Sequence, residues 1–311
     1  MLTRRAMRLV SFLALPFVFV FACSDSTTAS SSSPSGEDAG TDAGGGGGKT
    51  DSGDVLEDAG ADADEGPLPQ QTEMEPNDGT PATAVNAMTI PGIMSGTIDP
   101  AKDVDIFSID PAAGEFWEWT LAPTGSSLAP HLTVFDSAPS NENPNHVAIG
   151  TAGQTIKLQQ FVLNAGKFLA VVRDARNVGA DAGVGGAGFG YSLTARKKTV
   201  TPTTLAVPST KSATLPSLSS VDLYTFTLSA STGLDVYVHA ADKAAPSTLD
   251  SRLSLFSTTM KKDIGTNDDA SSSTTDSQLG GTLPAGTYVV IVEDEGTDAS
   301  DLSYDVEIKL R

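Results

Sequence analysis

The sequence predicts an all-β fold: two tandem, jelly-roll-like β-sandwiches behind a disordered linker. Three observations predict it. After Glu73, short apolar-polar alternations are split by Gly, Pro, Asn and Asp, the pattern of many short strands. Few segments there carry helical periodicity. The pattern also occurs twice. Asp105-Ile-Phe107-Ser-Ile109 matches Asp222-Leu-Tyr224-Thr-Phe226, and Leu132-Thr-Val134-Phe135 matches Leu253-Ser-Leu255-Phe256. Leu163–Phe168 matches Leu283–Tyr288, Val172-Arg-Asp174 matches Val292-Glu-Asp294, and Tyr191-Ser-Leu193 matches Tyr304-Asp-Val306. The offsets are 117, 121, 120, 120 and 113. Five blocks in one order at near-constant spacing make a repeat, each copy of ordinary domain size.

Residues 1–22 read as an export leader. Arg4, Arg5 and Arg8 precede an apolar run from Leu9 to Ala22, shorter than the ~20 residues a membrane-spanning helix needs. The run ends Val20-Phe21-Ala22-Cys23, and Cys23 is the only cysteine. That ending resembles the lipobox of bacterial lipoproteins, in which the cysteine becomes the lipidated first residue of the mature chain. The resemblance implies a protein held in the cell envelope through a lipid anchor on Cys23, at the outer membrane, periplasmic or displayed. An ordinary cleaved leader with an incidental cysteine stays open as the alternative. With a single cysteine no intrachain disulfide forms, so core packing, calcium or both must stabilise the exported domains.

Residues 23–72 read as a tether. The stretch SSSSPSGEDAGTDAGGGGGKTDSGD carries almost no large apolar side chain and cannot offset the entropy of folding. The formal net charge is −20 at pH 7, which argues against nucleic acid and anionic membrane surfaces as partners and is compatible with calcium.

Residues 73–197 and 198–311 are the expected sandwiches. In Asp222–Leu228 the period is two, so Tyr224, Phe226 and Leu228 share a face. The runs Phe168–Val172 and Tyr288–Val292 are continuously apolar, as in inner strands covered on both faces. Trp117 and Trp119 alternate with Glu118. They are expected to fill the core, because Leu121 continues their face; a sugar-stacking platform is the competing reading.

These blocks resemble the bacterial pre-peptidase C-terminal domain, a β-sandwich related to the collagen-binding domains of clostridial collagenases. The marks are Glu73-Met-Glu75-Pro76-Asn77-Asp78, Gly96-Thr-Ile98, Asp103-Val-Asp105-Ile-Phe107 and Ala165-Gly166-Lys-Phe168. In calcium-binding members the opening acidic segment and the Asp-rich strand start hold the ion. The resemblance therefore implies Ca²⁺ in the first sandwich, on Glu73, Glu75, Asn77, Asp78, Asp103 and Asp105. The chemistry agrees, since calcium takes six to eight hard oxygens. Phe107 stands where the collagenase-type form has a tyrosine. The second sandwich lacks the Glu-x-Glu-Pro-Asn opening, so Asp222 has no evident ligand partners, and Asn267-Asp268-Asp269 reads as a loop turn.

Catalysis needs a positioned base with a nucleophile or metal. His131, His146 and His239 stand outside any His-Glu-x-x-His arrangement, and there is no Gly-x-Ser-x-Gly elbow. Each histidine is expected at a surface or strand edge. The expectation is a non-enzymatic envelope protein that binds an extracellular protein or polysaccharide. A carbohydrate-binding module, or an accessory protein to a secreted hydrolase, is the alternative.

Overall fold

The computed structural model describes residues 67–77, 85–136, 146–179, 183–296 and 299–311. Cys23, the leader, the tether up to residue 66 and Asp78 lie outside the described residues. The fold is all-β. In the first half, the strands are β1 (Gln70–Thr72), β2 (Asn86–Ala87), β3 (Gly92–Thr97), β4 (Val104–Ile109), β5 (Phe116–Pro123), β6 (Pro130–Asp136), β7 (Val147–Ile149), β8 (Ile156–Phe161), β9 (Phe168–Asp174) and β10 (Gly190–Lys198). In the second half they are β11 (Thr203–Thr204), β12 (Ser209–Thr214), β13 (Asp222–Leu228), β14 (Thr232–His239), β15 (Ser251–Ser257), β16 (Lys262–Asn267), β17 (Ser277–Leu283), β18 (Gly286–Asp294) and β19 (Ser303–Leu310).

Each half stacks two sheets. The first pairs β1-β3-β10-β5-β8 with β2-β4-β9-β6-β7; the second pairs β12-β19-β14-β17 with β11-β13-β18-β15-β16. The two orders superimpose strand for strand, except that β1 has no counterpart in the second half. The first core gathers Met94, Trp119, Leu121 and Tyr191 from one sheet and Phe107, Leu132, Phe168 and Val172 from the other. The second repeats it with Val236, Val238 and Tyr304 against Phe226, Leu253, Tyr288 and Val292.

Alternation explains which residues face inward. On β5, Trp117 is 3% exposed and Trp119 fully buried. The Trp119 indole donates to Gln160 Oε1 at 3.3 Å, and that of Trp117 to Glu115 Oε2 at 3.1 Å. Both rings are core.

The continuously apolar strands β9 and β18 are central in their sheets. The outward residues of β18 have a second role. Val289 and Ile291 join Val221, Leu223 and Phe256 in a cluster completed by Phe116 and Phe161 of the first half. The outer face of one second-half sheet thus packs against the end of the first sandwich. Phe161 meets Phe256 edge-on, centroids 5.3 Å apart at 71°. Two amide contacts reinforce the joint: Gln159 N donates to Ser219 O, and Val221 N to Gln159 Oε1, both at 2.9 Å.

His131 and His146 are not surface residues, whereas His239 closes β14 and is part-exposed. His131 is 5% exposed and its Nδ1 accepts from Arg173 Nε at 2.9 Å. His146 lies 3.5 Å from the Glu293 carboxylate across the joint. Cross-strand packing, invisible in a single segment, overrides their polar flanks.

Phe161→Ala should cost about 3–5 kcal/mol. A double-mutant cycle with Phe256→Ala should return a coupling of about 0.5–1.5 kcal/mol, read by urea unfolding with tryptophan fluorescence.

Candidate metal centre

The opening segment is held against the first sandwich by side-chain amides that act as extra strand neighbours. β1 runs parallel to β3. Gln71 exchanges two hydrogen bonds with the backbone of Thr89, and Asn86 does the same for Met74: Met74 N donates to Asn86 Oδ1 at 2.7 Å, and Asn86 Nδ2 to Met74 O at 3.0 Å. These clips fix Glu73 and Glu75 on either side of Met74.

Glu73 reaches inward across β3. Its Oε1 accepts from Thr97 N at 2.5 Å, and its Oε2 from Tyr191 Oη at 3.0 Å and Asn77 Nδ2 at 3.3 Å. Gly96 makes the crossing possible, because a Cβ there would collide with the Glu73 carboxylate and the Tyr191 hydroxyl. Tyr191 also donates to Asp105 Oδ2 at 2.5 Å. Glu75 Oε2 accepts from Asn77 N at 3.0 Å. One carboxylate oxygen from each of Glu73, Glu75 and Asp105 falls within 4.8 Å of the others.

Two polar atoms in this cluster are orphans. Asn77 and Asp105 are fully buried, and Asn77 Oδ1 and Asp105 Oδ1 have no hydrogen-bond partner among the described residues. A buried acceptor without a donor is costly. Burial pushes the Asp105 carboxyl up to about 9; the Tyr191 hydrogen bond opposes this, while the charges of Glu73 and Asp103 add to it. Burial and the same carboxylates hold the Tyr191 phenol well above its usual range. The donor set is all hard oxygen. It suits calcium, which prefers carboxylate and amide oxygens, rather than zinc, which prefers nitrogen and sulfur.

Asp103 is not one of the three clustered acids. It is 3% exposed, and its oxygens accept from Val104 N at 2.9 Å and Asp99 N at 2.8 Å. It caps the turn before β4 and acts on Asp105 through its charge. Tyr191 is the residue of this cluster that motif reading missed. Its signal was present, since Tyr191 and Tyr304 occupy the same block of the repeat.

The second sandwich solves the same problem at Asp222 with a pair of tyrosine hydroxyls. Tyr304 Oη donates to Asp222 Oδ2 at 2.5 Å, and the Tyr224 and Tyr304 hydroxyls lie 2.7 Å apart. Tyr224 replaces Phe107, and no strand precedes to deliver a Glu73. Asn267 closes β16, its Oδ1 accepting from Gln278 N and its Nδ2 donating to Asp269 O, so of the Asn-Asp-Asp run expected as a loop turn, Asp268 and Asp269 lie in the loop and Asn267 in the strand. A further acidic group, His239, Asp242 and Asp276, lies on the second sandwich. There Asp276 is engaged by the amides of Ala240, Ala241 and Asp242.

No family model matches the chain, and no curated protein matches it. Among solved structures, it is similar to the pre-peptidase C-terminal domain of a collagenase from Bacillus anthracis at 15% identity and a TM-score of 0.30, over 36% of this chain and 98% of that one. It is also similar to tandem family 51 carbohydrate-binding modules of a family 98 glycoside hydrolase from Streptococcus pneumoniae. That match has 11% identity and a TM-score of 0.23, over 65% and 79% of the two chains. The CUB1-EGF-CUB2 region of human MASP-1/3 matches at 9% identity and a TM-score of 0.20, over 71% and 97%.

Burial raises the Asp222 carboxyl above its ordinary range against the pull of the two tyrosine hydrogen bonds. The folded chain therefore holds that proton to higher pH than the unfolded chain. Its stabilising contribution is present in acid and fades as pH rises past about 4. Asp222→Asn should flatten this loss, seen in urea midpoints of the two proteins compared from acid to neutral pH.

Proposed function

We propose that the chain is a non-enzymatic, lipid-anchored protein of the cell envelope whose first sandwich is stabilised by calcium and whose modules bind or display at the surface. The observation that carries the calcium reading is the pair of fully buried, unpartnered oxygens, Asn77 Oδ1 and Asp105 Oδ1, beside the carboxylates of Glu73 and Glu75. A divalent cation among them would satisfy both orphans and offset the mutual repulsion of the three crowded acids. Glu73, Glu75, Asn77 and Asp105 would hold it, and Asp78 follows directly in sequence. The ion's work there is structural: it ties the incoming chain to the start of β4 through side chains 28–32 residues apart in sequence.

The anchor reading rests on the lipobox-like Val20-Phe21-Ala22-Cys23. Two acyl chains hold a protein stably where one does not. Among the described residues no helix is long and apolar enough to cross a membrane. The non-catalytic reading is supported by the engagement of the histidines: His131 with Arg173, His146 with Glu293, His239 with Asp242 and Glu307. The sugar-stacking alternative loses its rings, because Trp117 and Trp119 are core.

Extracellular calcium sites bind at about 10⁻⁴–10⁻³ M, so a few millimolar calcium should stabilise the first sandwich by about 1–2 kcal/mol. Melting curves with calcium and with EGTA should differ by a few degrees, and Glu75→Gln should shrink the difference. Equal midpoints in the wild type would refute the ion. Radiolabelled palmitate should enter the wild type in cells and be absent from Cys23→Ser; label surviving the substitution would refute the anchor.

A further inference from the structure

A groove of about 570 Å³ runs along the seam between the two sandwiches, lined among others by Val147, Ile149, Ile156, Lys157, Leu218 and Leu302. That volume lies within the roughly 300–1,000 Å³ of ligand clefts. Two strand edges flank it, because β7 and β8 are the last strands of the two first-half sheets.

The two edges are treated differently. Ser219, from the segment leading into the second sandwich, engages β8: Gln159 N donates to Ser219 O at 2.9 Å, and Ser219 Oγ donates to Lys157 O at 2.8 Å. This flank already takes up main chain. β7 pairs only with β6. The bonds Val134 N to His146 O and Gly150 N to Pro130 O fix which groups β6 uses, since hydrogen-bonded and non-bonded pairs alternate. The N–H and C=O of Val147 and Ile149 therefore point away from β6, and nothing among the described residues pairs with them. Ile149 is 56% exposed. Natural sheets guard such edges with lysine, proline or bulges; β7 reads Val-Ala-Ile.

We propose that this edge receives an extended peptide segment of a partner protein, added to the sheet as a sixth strand with alternate apolar side chains in the groove. Unpaired main-chain donors and acceptors at strand spacing select main chain, and Val147 and Ile149 select apolar residues at every second position. Among the described lining residues Lys157 alone is charged, and Glu118 lies 3.4 Å from it, so the segment is neutral. A second copy of this chain fits worse, because it would bring together two molecules of net charge −20. The proposal names a partner class for the non-catalytic binding reading and rests on it, but involves neither the ion nor the anchor.

The test uses the full chain and a fluorescein-labelled pentapeptide, Val-Thr-Val-Thr-Val, capped at its C-terminus, with a control N-methylated at alternate amides. Val147→Pro removes an outward N–H that β6 does not use, so the strand persists. Ile149→Lys leaves the backbone intact and charges the groove. Saturable anisotropy that weakens at least tenfold with either variant, and with the methylated peptide, is the expected result. Absence of saturable binding into the millimolar range overturns the proposal, as does binding indifferent to both variants. Self-association lost in Ile149→Lys, with no effect of added peptide, overturns it in favour of a second copy. Any of these failures alongside an intact EGTA shift and palmitate label defeats the peptide site alone.

Discussion

A carboxylate taken out of water must find a compensating charge or keep its proton, and the first sandwich is organised around that requirement at Asp105. The aspartate is fully buried at the start of β4, shares a phenol with Glu73, and has one oxygen unpartnered. Around it, glycine at 96 clears a path for the Glu73 side chain, and the Gln71 and Asn86 amides hold the incoming segment in register. None of these residues has a reason to be placed so on packing alone. The same position in the second copy shows the alternative. Asp222 faces two tyrosine hydroxyls in place of Glu73, so hydrogen bonding suffices there. Duplication thus left one aspartate in two environments, and the presence or absence of one short strand, β1, separates them.

The joint between the copies is asymmetric: one copy supplies the aromatic plug and the other the face that receives it. Phe116 and Phe161 face each other across β5 and β8 and plug the outer face of the β13–β18–β15 region. Aligning Tyr191 with Tyr304 through the strand registers places Gly233 and Thr282 at the corresponding positions, which face each other across β14 and β17. Neither offers an aromatic surface. The second sandwich therefore receives a docked neighbour without presenting the same aromatic plug itself.

The sequence was most legible where period and repeat coincide. Tyr224, Phe226 and Leu228 alternate as strand residues do, and the central apolar strands were recognisable from Phe168–Val172 and Tyr288–Val292. The acids of the candidate centre were legible as a motif, but not their division of labour. Asp103 and Asp105 sit two apart on the same side, yet a turn makes one a cap for amide groups and leaves the other facing Tyr191. That depends on main-chain direction at Asp99–Val104, which spacing does not encode. Tyr191 reaches the site from 86 residues beyond Asp105, and the two meet because β10, beside β3 in one sheet, faces β4 of the other sheet across the sandwich. The outward apolar residues of β18 indicated a covered face without saying what covers it.

The joint also buries an ionisable pair, and its arithmetic keeps the two copies docked through mild acid. Desolvation, with the nearby Arg252 charge, pushes the His146 imidazole down to about 3. Burial pushes the Glu293 carboxyl up to about 7; Arg252 pulls it back and Glu295 adds to the rise. Between the ordinary values of 4.5 for glutamate and 6.5 for histidine, the unfolded chain carries one proton of the pair, on histidine. Over the same interval the folded chain also carries one, on glutamate. Equal proton counts mean no slope of stability with pH from this pair. Either group alone would titrate the joint; opposed shifts across the interface cancel. Below about 4.5 the balance breaks, because the unfolded glutamate takes up a second proton while the buried imidazole stays neutral. The apolar cluster around Phe161 and Phe256, with the two hydrogen bonds of Gln159, is then left to hold the seam against a growing preference for separation.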